Sequence, residues 1–204
     1  VFETQVKGNR DTDDADRQFV LISKRIRVKN LSRQWFFSEL VSMMIIEHDD
    51  VDFLWRMLFR ASWSHLDEGS TELSIRSRDD LAFYLEGWGR VGDDGVVAID
   101  PAVGPVGAAW LRLPIGSHGL GSSFVAADLP ELAIAVEDGH EGRGIGSRLL
   151  EGLLVRNGTR TIVLTARTAN PAIRLYERFG FEVVDVITNR VGTQSVKMVR
   201  PGDR

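Results

Sequence analysis

A glycine-rich segment between an apolar run and a helical stripe constrains the fold of this chain more than any other feature. Residues 139–146 read Gly-His-Glu-Gly-Arg-Gly-Ile-Gly and follow the apolar run Leu132–Val136. Four leucines then recur with helical spacing: Leu149, Leu150, Leu153 and Leu154. When a strand leads through glycines into a helix, the first helical N–H groups are unpaired, and the glycine backbone can approach a ligand closely. Because these groups and the helix dipole attract anions, this order predicts a phosphate-binding loop.

The rest of the chain predicts a mixed α/β domain with the element order ααββ-βαβαββ. Apolar residues recur every three or four positions in Val51–Ala61, which is typical of an amphipathic helix. Asn170 and Pro171 are typical of a helix start, and Gly180 of a helix end. The strands on either side of the glycine loop and its helix are expected to pair in parallel. The other predicted elements are a helix Leu81–Glu86, capped by Asp79 or Asp80, and strands Gly95–Ile99, Gly107–Leu113, Leu132–Val136, Thr161–Thr165, Phe181–Ile187 and Ser195–Arg200.

Length and composition limit the architecture and the kinds of site. We expect the 204 residues to form an N-terminal extension of unknown role, 1–43, and one domain, 44–204. The absence of cysteine excludes disulfides, thiolate metal sites and a cysteine nucleophile. A net charge of −4 disfavours an extended nucleic-acid-binding surface. The sequence predicts no metal site, because the four histidines lack ligand spacing: His48, His65, His118 and His140.

The sequence also gives an expectation about location. No uninterrupted apolar run exceeds the five residues of Leu132–Val136, which is far shorter than a membrane span. The acidic start of the chain lacks the basic and apolar regions of a secretory signal. We therefore expect a soluble protein of the reducing cytoplasm with no membrane partner.

Two common phosphate-binding motifs do not fit the glycine loop. A Walker A loop ends in Gly-Lys-Ser/Thr, whereas Gly146 is followed by Ser147 and Arg148. A Rossmann fingerprint needs a third glycine at the position of Ser147, after Gly142 and Gly144. Both motifs are therefore disfavoured.

Residues 140–150, H-E-G-R-G-I-G-S-R-L-L, resemble the acyl-CoA-binding motif Gln/Arg-x-x-Gly-x-Gly/Ala of the GNAT superfamily of N-acetyltransferases. Residues 170–181 are similar to a second signature of that family, N-x-x-A-x-x-x-Y-x-x-x-G-F up to small shifts. The resemblance extends from about Met44 to Arg200, and the segments Tyr84–Arg90 and Pro130–Leu132 resemble a bacterial branch of unassigned substrate. It implies a mixed, largely antiparallel central sheet with flanking helices and a parallel, splayed βαβ unit that binds acyl-CoA. It also implies transfer of an acetyl group from acetyl-CoA to an amino group of a small molecule or a protein by direct attack.

The resemblance implies a set of cofactor-binding residues. In this family the loop amides hold the CoA pyrophosphate, and the preceding strand pairs with the pantetheine arm. One position departs from the family, because Glu141 stands where Gln or Arg is preferred. A carboxylate there repels the pyrophosphate, and the loop amides, Arg143 and Arg148 are expected to offset the repulsion. The residues expected to contact the cofactor are Val136, Glu141, Gly142, Arg143, Gly144, Ile145, Gly146, Ser147 and Asn170.

The resemblance also implies catalytic residues. Tyr176 lies on the apolar stripe of its helix, where its hydroxyl needs a partner, and the resemblance implies that this partner is the CoA sulfur. Tyr176 is then the general acid for the leaving thiolate, although a buried core tyrosine is the alternative. An ammonium must lose a proton before it attacks, and Glu131 is the first candidate for the base. A solvated charge at a strand end is the alternative for Glu131, and helix capping alone is the alternative for Asn170.

Several questions remain open in the sequence. A catalytically silent acyl-CoA-binding regulatory or interaction module is the rival to an enzyme. The acceptor is expected to contact Val51–Trp88 and the loop Pro114–Leu129, but neither segment has a transferable specificity code. Edge strands of such sheets can pair between subunits, which makes a homodimer an expectation to test. His118, Trp63, Trp88 and Trp110 are further candidates for the acceptor site, each with a structural alternative. Glu137 and Asp138 are alternatives for the base that also suit a turn, and His140 lies next to the glycine loop.

Overall fold

A computed structural model describes residues 41–47, 50–113, 129–189 and 191–203. All of them belong to one compact unit, which spans Phe36–Arg204. The predicted extension 1–43 and the loop Pro114–Leu129 with His118 lie almost entirely outside the described residues, as does His48.

The described chain contains seven strands and five α-helices. The strands are β1 Ser42–Ile45, β2 Asp94–Asp100, β3 Gly104–Arg112, β4 Glu131–Val136, β5 Ile162–Arg167, β6 Glu182–Thr188 and β7 Gln194–Arg200. The helices are α1 Val51–Ala61, α2 Glu72–Arg76, α3 Asp79–Ala82, α4 Ile145–Asn157 and α5 Ile173–Arg178, with a 3-10 turn at Ser64–Leu66. Helix α1 has the predicted bounds, and the predicted strands all form with small shifts at their ends.

The strands form one sheet in the order β1-β2-β3-β4-β5-β7-β6. Only β4 and β5 pair in parallel, and the other neighbours are antiparallel. The predicted hairpin of β2 and β3 is present, and so is the predicted parallel unit around the glycine loop. The predicted fold class, a mixed and largely antiparallel sheet with a parallel βαβ unit and flanking helices, is confirmed.

Two apolar cores cover the two faces of the sheet. Leu149, Leu150 and Leu153 of α4 pack on one face, which we call the α4 face, together with α5. Leu54 and Leu58 of α1 pack on the opposite face, the α1 face, together with α2 and α3. Strand side chains alternate between the faces, so neighbouring residues of β4 and β5 enter different cores. Burial of these apolar surfaces is the main stabilisation of the fold.

Strands β4 and β5 separate soon after they meet. Their single register pair is Glu131 with Val163, and the Val163 N–H donates to the Pro130 carbonyl at 3.0 Å. Beyond this pair, β4 continues beside β3 while β5 continues beside β7. The sheet therefore opens into a gap whose two sides are strand edges, as the resemblance implied.

The structure differs from the sequence prediction at the start of the domain. Strand β1 and helix α2 were not predicted, because β1 is a short run at the sheet edge and α2 is a five-residue helix. Thr71 and Ser74 form a capping box at the start of α2. The predicted helix Leu81–Glu86 is instead α3, which begins at Asp79 with Arg78 at its N-cap position and without the predicted Asp cap.

Candidate active site

A cavity of about 370 Å³ lies where β4 and β5 separate. Strand β4 and the second half of β5 form two of its walls, and the first turn of α4 and helix α5 close it on one face of the sheet. Residues of α1, α3 and the segment between them close it on the α1 face. The cavity thus connects the glycine loop with the segment that was expected to select the acceptor.

Strand β4 offers hydrogen-bonding backbone groups to this cavity. The Glu137 N–H donates to the Val106 carbonyl at 2.9 Å in the ladder with β3. Because backbone groups alternate in direction along a strand, those of Ile134 and Val136 point away from β3 and into the gap. An extended, amide-containing ligand can occupy the place of the missing strand neighbour.

The glycine loop leads directly into helix α4. Gly142 and Gly144 have φ values of +72° and +79°, which place both in the left-handed region that favours glycine. Gly144 is the N-cap residue, and its carbonyl accepts the first helical hydrogen bond, from the Arg148 N–H at 3.1 Å. The N–H groups of residues 145–147 precede that bond and have no acceptor within the helix. They are the unpaired donors at which the sequence predicts an anion site.

The side chains around this loop have different surroundings. Ile145 is 3% exposed and packs in the core of the α4 face, so only its backbone is available at the predicted anion site. A Cβ atom at Gly146 would lie 3.2 Å from Leu175 Cδ2, which makes this helix contact unusually close. Ser147 is half-buried, and Arg143 is exposed. Arg148 turns toward β1, where its Nη1 lies 3.5 Å from the Val41 carbonyl.

Arg60 of α1 links the end of β4 to the glycine loop. Its Nε donates to the Val136 carbonyl at 3.0 Å, and its guanidinium forms two hydrogen bonds with the Asp138 carboxylate. Its Nη2 also lies 3.5 Å from Glu141 Oε1. The hydrogen bond to Asp138 raises the pKa of Arg60 and lowers the pKa of Asp138. Arg60 thus places a positive charge beside the carboxylate that departs from the family motif.

Tyr176 of α5 forms part of the cavity wall. Its side chain is 6% exposed and meets the Phe181 ring edge to face at 6.1 Å between centroids. Burial raises the pKa of Tyr176 from 10.0 to about 12. The hydroxyl has no hydrogen-bond partner among the described residues. A protonated donor without an acceptor among the described residues therefore lies beside the cavity.

Asn170 lies before α5 and also contacts the cavity. Its Oδ1 accepts a hydrogen bond from the Ala172 N–H at 2.9 Å, so it has the predicted capping interaction. Helix α5 begins at Ile173, slightly later than predicted. The amide Nδ2 of Asn170 has no hydrogen-bond partner among the described residues, which leaves a donor available to a ligand.

The other predicted candidates lie in different places. Glu131 is the first residue of β4, is 3% exposed and does not form part of the cavity wall, so the structure does not bring it to Tyr176. Glu137 and Asp138 follow β4 and form ion pairs with arginines of α1. His140 is exposed, and its Nδ1 lies 3.3 Å from the Asp138 carbonyl. The role of Glu131 as the base therefore stays a prediction.

The acceptor side of the cavity contains residues that the sequence did not single out. Arg78 holds Asp80 with two hydrogen bonds of 3.1 and 2.6 Å. Arg167, at the end of β5, lies over the Trp63 ring at 5.4 Å. No sequence signal connects Arg167 with Trp63, because their contact depends on the packing of α1 against the sheet. Of the tryptophans considered above, Trp63 lines the cavity, whereas Trp110 is fully buried in the core of the α1 face.

Metal-ligand clusters and membrane-spanning helices are two further features that bear on the described ranges. No group of three or more His, Cys, Asp or Glu side chains could hold a metal ion there. No helix in the same ranges is long and apolar enough to cross a membrane.

Comparisons with known proteins agree with this geometry. Residues 93–183 match the family model described as the acetyltransferase (GNAT) domain. The comparison with curated proteins gave no match.

Solved structures share the fold at low sequence identity. A histone acetyltransferase HPA2 and related acetyltransferase from Corynebacterium glutamicum has 22% identity and a TM-score of 0.59, covering 80% of this chain and 97% of its own. The ribosomal-protein-S18-alanine N-acetyltransferase of Escherichia coli has 19% identity and a TM-score of 0.55, with 81% and 96% covered. A chimeric spermidine N-acetyltransferase from Vibrio cholerae and hSSAT has 15% identity and a TM-score of 0.52, with 79% and 95% covered. These likenesses establish the fold, and the family model covers both the glycine loop and Tyr176. The fold is therefore that of the GNAT N-acetyltransferases, and residues 93–183 match the acetyltransferase domain model of that family.

Proposed function

We propose that the cavity between β4 and β5 binds acetyl-CoA and that this protein acetylates the amino group of a small molecule or a peptide. The observation that carries the proposal is the position of Tyr176. Its hydroxyl, which has no hydrogen-bond partner among the described residues, lies on the wall of a cavity that also reaches the first turn of α4. Acetyl-CoA supplies the acetyl group as a thioester, whose carbon forms a bond to the acceptor nitrogen while its bond to sulfur breaks.

The residues present fit this co-substrate. The N–H groups of residues 145–147 suit the pyrophosphate, because they are unpaired and lie at the positive end of the α4 dipole. The backbone of Ile134 and the N–H of Val136 face the gap and suit the amides of the pantetheine arm, while the Val136 carbonyl accepts from Arg60. The Asn170 amide supplies a further donor. Arg60 reduces the repulsion from Glu141, because it lies 3.5 Å from that carboxylate.

Tyr176 acts as the general acid in this proposal. Because its pKa is about 12, the hydroxyl remains protonated at neutral pH and can donate to a thiolate. The Tyr176 proton passes to the leaving sulfur, and a proton released by the acceptor nitrogen restores the hydroxyl. A backbone N–H of β4 near Val136 polarises the thioester carbonyl. Because the amine attacks the thioester directly, the reaction requires no covalent enzyme intermediate.

Glu131 is the proposed base, and its position sets a condition on that role. Its carboxylate is 3% exposed and is not part of the cavity wall. A proton can reach it only through a relay of water or hydroxyl groups. Glu131→Gln tests the role: a shift in the acidic limb of the kcat profile is expected, and an unchanged profile in a folded variant would exclude Glu131.

A homodimer is the proposed assembly. Strand β6 is an edge strand whose valines are exposed: Val183 by 46%, Val184 by 56% and Val186 by 54%. Apolar side chains on an unpaired edge favour association with another chain. Mass measurement in solution tests this, and replacement of Val184 with Lys should shift the mass toward the monomer.

We also propose a cytoplasmic location, supported by the lack of cysteine.

Calorimetry with acetyl-CoA and with desulfo-CoA tests the proposed function before the acceptor is known. We expect both ligands to bind in the micromolar range, because most contacts are made by the pyrophosphate and the pantetheine arm. A folded protein that does not bind millimolar acetyl-CoA would overturn the proposal.

Tyr176→Phe then separates an enzyme from a binding module. We expect unchanged acetyl-CoA binding and a fall in kcat of about 100-fold with a competent amine, the scale of general acid catalysis. An unchanged kcat would show that Tyr176 is a core residue. Binding without transfer to any amine would favour a silent acyl-CoA-binding module.

A further inference from the structure

We propose that the acceptor carries an anionic group, a carboxylate or a phosphate, close to the amine that is acetylated, and that Arg167 binds this group. The inference rests on the proposed acetyl transfer and names the acceptor class that the same cavity selects. Three observations on the α1 face carry it.

The first observation is the unused hydrogen-bonding capacity of Arg167. This residue ends β5, forms part of the cavity wall, and has a side chain that is 22% exposed. Its Nη2 lies 3.7 Å from Asp67 Oδ1, which is an ion-pair distance but exceeds hydrogen-bond length. No described residue accepts a hydrogen bond from the Arg167 guanidinium. Its five N–H donors form a planar fork that matches a carboxylate or a phosphate.

The second observation is that Trp63 fixes the orientation of this guanidinium. The Arg167 guanidinium carbon lies 5.4 Å from the centre of the Trp63 ring. Trp63 has a φ of +60°, and it is the only residue other than glycine with a positive φ in the described ranges. Such a backbone is unfavourable for a bulky side chain and is often retained at ligand sites. Here it supports a stacked arginine, which loses little side-chain entropy when an anion binds.

The third observation is a buried hydroxyl on the same face of the same strand. Leu164 and Ala166 enter the core of the α4 face, so Thr165 and Arg167 point to the opposite face. The Thr165 Oγ1 atom is buried, lines the cavity, and has no hydrogen-bond partner among the described residues. Thr165 lies nearer than Arg167 to the point where β4 and β5 meet. The amine of the acceptor can therefore form a hydrogen bond with the Thr165 hydroxyl while the anionic group of the same molecule reaches Arg167.

The other charged groups of the cavity wall are already neutralised by near neighbours. Asp80 is held by two hydrogen bonds from Arg78, and Arg60 lies between Asp138 and Glu141. Arg167 is left as the cation with unused donors among the described wall residues. It disfavours a polyamine or a lysine-rich peptide, because a second positive charge on the acceptor would meet it.

The experiment compares amines that differ only in the anionic group. Phenylalanine, phenylalaninamide and phenethylamine form one series, and O-phosphoethanolamine and ethanolamine form a second. CoA release at saturating acetyl-CoA gives kcat and KM, and calorimetry with the CoA-loaded protein gives the Kd of each amine. We expect at least about tenfold lower KM and Kd for the anionic members, the scale of one charge-assisted hydrogen-bonded pair. The series that responds distinguishes a carboxylate from a phosphate.

Arg167→Gln should remove this preference and leave acetyl-CoA binding unchanged. Arg76→Gln is the matched control, because Arg76 also stacks on a tryptophan, Trp55, and pairs with an aspartate but lies outside the cavity wall. Equal or better use of the amines without an anion overturns the inference while acetyl transfer stands. The same conclusion follows if the protein binds acetyl-CoA but acetylates no anionic amine. Failure to bind acetyl-CoA instead overturns the proposed function.

Discussion

Arg60 donates a hydrogen bond of 3.0 Å from its Nε to the backbone carbonyl of Val136, which lies 76 positions later in the chain. This carbonyl ends β4 and faces the gap between β4 and β5. The same guanidinium pairs with Asp138 and lies 3.5 Å from Glu141. Helix α1 therefore fixes both the end of the splayed strand and the start of the glycine loop.

Loss of this arginine should affect stability and acetyl-CoA binding together. Arg60→Met removes the partner of the Val136 carbonyl, and we expect a fall of about 1–3 kcal/mol in the free energy of unfolding. The Kd for acetyl-CoA should rise, because Glu141 loses its nearby cation. Urea unfolding and calorimetry measure the two effects. Arg56→Met is the control, since Arg56 pairs with Glu137 at 2.7 Å but bonds no strand carbonyl. Equal effects of the two substitutions would contradict the special position of Arg60.

The carboxylate at position 141 should weaken cofactor binding rather than support it. Its side chain is 62% exposed, so solvent and salt reduce its effect on a bound pyrophosphate. We expect Glu141→Gln to lower the Kd for acetyl-CoA by a few-fold in low salt and by less at high salt. Glu151→Gln, an exposed substitution further along α4, should leave the Kd unchanged. A higher Kd for Glu141→Gln would show that the carboxylate organises the loop.

The parts of the site that could be predicted from sequence are those formed by neighbouring residues. The glycine loop, helix α4 and the place of Tyr176 on α5 depend on local spacing, and the structure has them as predicted. Arg60 and Arg167 were missed because each acts through a contact with a distant segment. Glu131 illustrates the reverse case: its position in the strand was predicted, but its burial depends on neighbouring strands.

Two glycines of the same region should respond in opposite ways to alanine. Gly144 has a φ of +79°, and Gly144→Ala should cost about 1–2 kcal/mol and weaken acetyl-CoA binding. Gly152 lies inside α4, and a Cβ there would make an ordinary contact of 3.8 Å with Val96. Gly152→Ala should raise stability by about 0.5–1 kcal/mol, because alanine favours a helix. Thermal unfolding measures both, and a stabilising Gly144→Ala would contradict the left-handed conformation of the loop.

Tyr176 should ionise at an unusually high pH. The chain has two tyrosines, so Tyr84→Phe leaves Tyr176 as the one reporter in an absorbance titration. We expect ionisation near pH 12 rather than 10, because burial disfavours the phenolate. The raised pKa means that the buried hydroxyl contributes fully to stability below pH 10, and that this contribution is lost as the pH rises toward 12. The pH profile of kcat should therefore show no fall between pH 7 and 9 caused by ionisation of Tyr176. Ionisation at pH 10 in a folded protein would mean that the ring is solvated and that the cavity wall differs from the one described.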